Sequence, residues 1–487
     1  MSAADQAAPE AAPGRRNRTG IALAIACATQ FISVLDVSIV NVALPAMRTD
    51  LSLSAPGLQW VVNGYTLTFA GFLLLGGRAA DLLGRRTVFI AGLLLFTVSS
   101  LAAGLAQEGW QLVAARVVQG LGGAVLAPTA LSLVTTTFTE PAARARALAA
   151  LTAGAGAGGA LGGVIGGVLT GLLSWRWVFF VNVPLGALLV AGALWALPGA
   201  VRQPLRGRLD LPGSATVTTG TAALVAAIVV SEERGWTSTP TLSLLAAAVV
   251  LLTGFVLRER RAAHPLVPLA VFRIRSLALA NGLSALIGGV LPATMFFLSL
   301  HLQQVLGMSP LRAGVALLPG AAGIAAGAWA ASRLVARGAK TTFIGGCLLS
   351  GAALAWLSAI DPDAGYALPV AVPLFAVMFG FGVSGLPLTV AATSGVGPHW
   401  AGLASGLLNT ARQVGGAVGL AALVTLAATR TAGLLAGGGV PEDAATTSGF
   451  GVALLCGAAV MVLAALGGSA LPRASRPAAR PAPVPGA

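Results

Sequence analysis

The chain has 487 residues, 56% of them hydrophobic and only 9% charged. A soluble domain carries about 25% charged residues, so this supply cannot cover a water-exposed surface of this size, and lipid must replace water over much of it. The formal net charge of +14 does not signal a nucleic-acid binder, because the arginines are spread over short segments between long apolar runs and form no basic domain.

The chain opens on an Ala- and Pro-rich stretch with Arg15, Arg16 and Arg18 just ahead of the first apolar run. That run is too long for a signal-peptide core and is expected to stay as a helix. About 20 apolar residues cross the ~30 Å hydrocarbon core of a bilayer. Marking runs between charged or Pro/Gly-rich breaks gives fourteen, near 20–47, 57–77, 87–106, 110–137, 143–172, 176–197, 211–231, 240–257, 276–305, 311–335, 341–359, 367–396, 402–429 and 448–471. With the N-terminus in the cytoplasm, 22 of the 29 basic residues fall on the cytoplasmic side and 5 outside, and Arg116 and Arg412 lie within runs. This asymmetry follows the positive-inside rule and puts both termini in the cytoplasm.

The expected organisation is therefore all-α and integral to the membrane. A cytoplasmic tail (1–19) leads into a six-helix bundle (20–197). A linker with two extra transmembrane helices and a basic loop (198–275) precedes a second six-helix bundle (276–471) and a Pro/Ala/Arg tail (472–487). Two six-helix bundles joined by a linker form the arrangement of the major facilitator fold.

Of fifteen acidic residues, only Asp36 falls within a run. A carboxylate at mid-helix costs about 2.5–3.5 kcal/mol to insert, and intramembrane ionisable groups mark function by default; the plainer alternative is a carboxylate that ties two helices together through an arginine. Thr29, Ser33 and Asp36 share one helix face, which is expected to look into a polar cavity. On the fourth run, Arg116, Gln119, Gly120 and Gly123 repeat that geometry. Asp36 lies ~24 Å above the cytoplasmic end of its run and Arg116 ~9 Å below the outer end of its own, so both occupy the outer half and can pair.

Asn409, Arg412, Gln413 and Gly416 form a third such face on the thirteenth run. Its arginine either bonds backbone carbonyls or meets the substrate. His301, near the outer end of the ninth run, is expected to be an interfacial histidine with a satisfied hydrogen bond, with titration as the alternative. His264 and His399 fall in loops. Cys27, Cys347 and Cys456 sit in apolar runs without metal-ligand spacing and are expected to be packing residues.

The segment from Leu35 through Asp36, Ser38 and Asn41 to Pro45 closely resembles the first-helix signature of the fourteen-span drug:proton antiporters of the major facilitator superfamily, with Ser38 at a position where the family usually has Thr. Gly77 to Arg86 is similar to the superfamily's cytoplasmic loop motif, with Leu82 in place of a basic residue; the resemblance implies that Gly77, Asp81, Gly84 and Arg85 act in gating. Arg116 to Gly123 resembles the arginine segment linked to proton coupling. Gly154, Gly158, Gly162, Gly166 and Gly167 resemble the antiporter glycine motif, with Gly163 where the family has Pro. Trp175 to Pro184, Gln303 to Gly314, and Gly402 to Gly419 also match in order, so the resemblance covers nearly the whole chain.

The implied function is a proton-coupled efflux antiporter that exports a drug, an antibiotic or an amphipathic metabolite by alternating access. A proton-coupled symporter is the alternative. Asp36 and Arg116 are the expected proton-coupling pair, and Ser33, Gln119, Asn409, Arg412 and Gln413 the expected substrate-cavity residues. No metal site, cofactor or nucleic-acid partner is expected, since the proton motive force supplies the energy; the expected partners are protons, a small-molecule substrate and the bilayer. The sequence lacks a Walker A motif, which argues against direct ATP coupling, and lacks the constellation of an enzyme. A monomer in a bacterial cytoplasmic membrane is expected. Arg412, with no acidic residue in the C-terminal runs, favours neutral, zwitterionic or anionic substrates over dications.

Overall fold

The computed structural model describes residues 13–138, 140–197, 210–262, 265, 267, 269–360, 365–394, 396, 401–437 and 439–472. Its helices are α1 (Pro13–Asp50), α2 (Ala55–Leu83), α3 (Arg85–Gly104), α4 (Gly109–Thr137), α5 (Pro141–Leu172), α6 (Trp177–Phe180), α7 (Asn182–Ala196), α8 (Leu211–Arg234), α9 (Thr239–Arg261), α10 (Arg275–Gly288), α11 (Val290–Leu300), α12 (Pro310–Ala316), α13 (Leu318–Leu334), α14 (Ala339–Leu357), α15 (Val372–Thr393), α16 (Ala401–Gly437) and α17 (Glu442–Gly468). Every apolar run marked in the sequence is helical over most of its length. Among the described residues, 13 helical segments are long and apolar enough to cross a bilayer, and α2, with 29 residues, occupies the second run.

Several runs are broken helices, and proline explains two of the breaks. α10 gives way to α11 at Gly289, four residues after Ala285 and three before Pro292, whose missing N–H leaves the Gly288 carbonyl without its helical donor. α12 passes to α13 at Leu317, whose N–H bonds Ala313 and Gly314 carbonyls, and Pro319 follows. Beyond α11 the helix widens to π geometry over His301–Val305 and stops at Gly307, which adopts φ 60°.

The chain divides into two compact units, residues 1–53 with 60–211, and residues 54–59 with 212–487. In the first, α1 packs on α5, and α3 packs on α4 and α7. In the second, α10 and α11 pack on α16, and α14 on α15 and α17. Counting six spans within each unit, both therefore pair first with fifth, third with fourth, and third with sixth. α8 and α9 group with the second unit: Gly220 of α8 faces Leu252 of α9, and the Thr425 hydroxyl of α16 donates to the Ile228 carbonyl of α8 at 3.4 Å.

Glycine sets the close crossings. A Cβ on Gly158 would overlap the Phe31 carbonyl and one on Gly162 the Ser38 side chain, while Cβ atoms on Gly154 and Gly166 would sit 2.9 Å from the Cys27 and Ile39 carbonyls. α5 thus lies against α1 backbone to backbone, a contact small residues permit in lipid. On α16, Gly415 and Gly419 meet Ala285 and Gly289 in the same manner.

Large apolar side chains line the outside. Leu94 and Val98 on α3, Leu188 and Leu194 on α7, Val249 and Val250 on α9, and Leu463 and Leu466 on α17 are exposed, which suits lipid contact. Trp110, Trp177, Trp195, Trp236, Trp329 and Trp356 are also exposed and lie at or near helix ends, where amphipathic rings occupy the membrane interface.

Candidate functional site

In the first unit, α1 presents Asp36 at 0% relative exposure and α4 presents Arg116 at 1%. The Arg116 Nη1 donates to Asp36 Oδ2 at 2.6 Å and to Gln119 Oε1 at 2.7 Å. The Gln119 amide in turn donates to Asp36 Oδ1 at 2.8 Å. One residue three positions along α4 thus bonds both ends of the ion pair, as the i, i+3 spacing allows.

Four further residues complete the site, none of them among the site residues expected from the sequence. Asn182, at the start of α7, donates from Nδ2 to Asp36 Oδ1 at 2.9 Å and to the Ser100 hydroxyl of α3 at 3.1 Å. Ser100 donates to the Phe179 carbonyl at 2.9 Å, which orients Asn182 from behind. Tyr65 of α2 lies under the guanidinium, 4.4 Å from ring centre to Arg116 Cζ, with Phe179 on another side at 5.7 Å. The Arg116 Nε donates to the Val61 carbonyl at 3.1 Å. Gly120 makes this approach of α2 and α4 feasible, since a Cβ there would overlap the Tyr65 carbonyl and the Thr68 hydroxyl.

Chemically, this is a carboxylate with both oxygens occupied, Oδ1 by two amide donors and Oδ2 by the guanidinium. Removing two charges from water costs several kcal/mol per ion, and only close pairing with full hydrogen bonding offsets it. Among the described residues the Asn182 Oδ1 has no hydrogen-bond partner, so an unused acceptor stands beside the carboxylate. Asn182 was legible as the single amide among aromatic and aliphatic residues from Trp177 to Val183, a polar group that burial obliges to find a partner.

The other expected site residues fall elsewhere. Thr29 and Ser33 are buried, and their hydroxyls bond the Ile25 and Thr29 carbonyls of their own helix at 2.8 and 2.9 Å. The face expected to look into a polar cavity is enclosed by neighbouring helices, with Ser33 and Gln119 both buried in this conformation. In the second unit Arg412 is exposed and donates to Asn409 Oδ1 at 2.6 Å, beside a half-buried Gln413. His301, expected at the interface, is buried at 2% exposure beside Phe450 and Leu454 of α17, and its Nε2 has no hydrogen-bond partner among the described residues.

In the loop segment, Gly77 packs on Pro128 of α4. Gly84 separates α2 from α3 at φ 93°, a conformation that favours glycine, and Arg85 opens α3. The side chains of Arg78 and Asp81 lie outside the described residues, as do His264 and His399. Gly167 of the glycine motif is buried in α5.

The family model for the Major Facilitator Superfamily matches residues 26–420. The chain is 40% identical to the cephamycin export protein CmcT of Amycolatopsis lactamdurans, over 86% of this chain and 88% of that protein. It is 39% identical to the puromycin resistance protein of Streptomyces alboniger, over 91% and 89% of the two chains. Among solved structures, the POT family transporter PepTSo is similar at TM-score 0.67 and 17% identity, over 93% of this chain and 98% of that one. A bacterial homologue of the human lysosomal transporter Spinster is similar at TM-score 0.65 and 17% identity, over 94% and 97%; both likenesses concern the fold. A polytopic helical chain with this family match and these relatives belongs to the Major Facilitator Superfamily of membrane transporters.

Proposed function

We propose that the chain is a proton-coupled antiporter that exports an antibiotic or a similar amphipathic small molecule across a bacterial cytoplasmic membrane, as a monomer without a cofactor. The observation that carries the proposal is the enclosed Asp36, held by Arg116, Gln119 and Asn182 at 2.6–2.9 Å. The relatives named for cephamycin export and puromycin resistance support the cargo class and the outward direction.

A proton arriving at Asp36 competes with Arg116 for Oδ2, since Oδ1 already accepts two amide donors. Loading the proton releases one Arg116 bond, but the guanidinium keeps Gln119, the Val61 carbonyl and the Tyr65 face. The cation is therefore not stranded when its partner is neutralised, and the two protonation states can alternate without a large penalty. The Asn182 carbonyl oxygen offers an acceptor for the new O–H. Each proton moving inward across 100 mV releases about 2.3 kcal/mol, enough for roughly a tenfold to hundredfold outward gradient of cargo.

Expression in a pump-deficient bacterial host tests the proposal. It predicts raised resistance to a translation-inhibiting or cell-wall antibiotic, abolished by an uncoupler. Resistance unaffected by the uncoupler refutes proton coupling, and increased uptake of the compound in its place supports the symporter alternative.

A further inference from the structure

A groove in the second unit, with a volume of about 540 Å³, runs along α10. Arg275, Leu279, Gly282 and Leu286 line it at spacings of three to four residues, so they form one stripe about 16 Å long on the helix. Phe272 and Arg273, in the short 3₁₀ turn Leu269–Arg273, close its upper corner. Both arginines are exposed and, among the described residues, neither forms an ion pair. Phe272 and Leu286 are also exposed, and nothing lies within 4 Å of a Cβ on Gly282.

We propose that this groove binds an anionic phospholipid of the cytoplasmic leaflet, with the phosphate on Arg273 and Arg275 and an acyl chain along the stripe to Leu286. The arginines begin a membrane-crossing segment, Arg275–Val305, on the side that the positive-inside asymmetry assigns to the cytoplasm. A ligand there meets cationic charge at the surface and an apolar furrow over the next three turns, which lie within the hydrocarbon. A soluble anion fills the first part and a neutral lipid the second; an anionic lipid fills both. Basic residues on the cytoplasmic face attract anionic headgroups, and two of them favour an anionic over a zwitterionic lipid by roughly 30-fold.

The full-length chain in detergent, offered phosphatidylglycerol and phosphatidylcholine in competition and read by native mass spectrometry, tests this. The wild type should bind phosphatidylglycerol in roughly 30-fold preference, and R273Q/R275Q should bind the two lipids alike. If that variant fails to fold, G282L serves instead: a leucine in the furrow should weaken binding of both lipids. Equal binding of the two lipids by the wild type overturns the proposal, as does preference retained in R273Q/R275Q or binding unchanged in G282L. Displacement of phosphatidylglycerol by equimolar inorganic phosphate also overturns it, in favour of a soluble anion. Loss of dimers in R273Q/R275Q without altered lipid preference assigns the groove to a second copy of the chain.

Discussion

Asp36 and Arg116 illustrate how a buried pair constrains its own substitutions. Removing the arginine leaves the Asp36 carboxylate uncompensated in the bundle, at a cost of about 3–5 kcal/mol. Arg116→Ala should therefore lower the thermal midpoint sharply, and combining it with Asp36→Asn should recover much of the loss; an Arg116→Ala variant as stable as the wild type would contradict this pairing. Asn182→Ala removes one of two donors on Asp36 Oδ1 and the partner of Ser100. It should cost about 1–3 kcal/mol in stability and lower transport, checked by unfolding and efflux assays on one preparation. At this scale the sequence was informative where charge was scarce. A lone acid and an arginine at matched depth implied each other. Tyr65 and Ser100 were not legible, because a tyrosine or serine in a membrane helix is common and their role depends on the crossing angle of α2, α3 and α4. The enclosure of Ser33 was hidden for a related reason: a helix face is readable from spacing, but what covers it is not.

Helix pairing is where glycine matters. Gly415 of α16 lies where an added Cβ would overlap the Ala285 carbonyl of α10. Gly415→Val should separate the two helices and cost at least about 3 kcal/mol, seen as loss of monodisperse protein. Gly433→Val, on the same helix with nothing within 4 Å of its Cβ, should be tolerated. Equal tolerance of both would contradict the crossing. The apolar runs located every helix, because hydrocarbon demands about 20 apolar residues per crossing. They did not show that runs such as 276–305 are interrupted. Hydropathy is blind to a missing N–H, and the break at Gly289 follows from Pro292 and from the close contact of Gly289 with Gly419. The two linker helices were expected as a separate segment, and their grouping with the second unit rests on side-chain contacts such as Thr425 with Ile228, which periodicity does not encode.

For the molecule as a whole, the basic loops and the fold imply that the Arg234–Trp236 turn is outside and the Leu334–Gly338 turn inside. Trp236→Cys should react with an impermeant thiol reagent in intact cells and Arg337→Cys only after permeabilisation; the opposite pattern would invert the topology. The transporter fold follows from the pairing of helices within each unit, and the family from the match over residues 26–420. Energy coupling is what the fold alone leaves to the chemistry of Asp36. The most direct measurement is substrate efflux driven by an imposed proton gradient in proteoliposomes, comparing the wild type with Asp36→Asn. The asparagine keeps the size and an acceptor oxygen but holds no exchangeable charge, so gradient-driven movement should fall to the background rate while the protein remains folded. Gradient-driven transport by Asp36→Asn at the wild-type rate would show that the proton travels by another route.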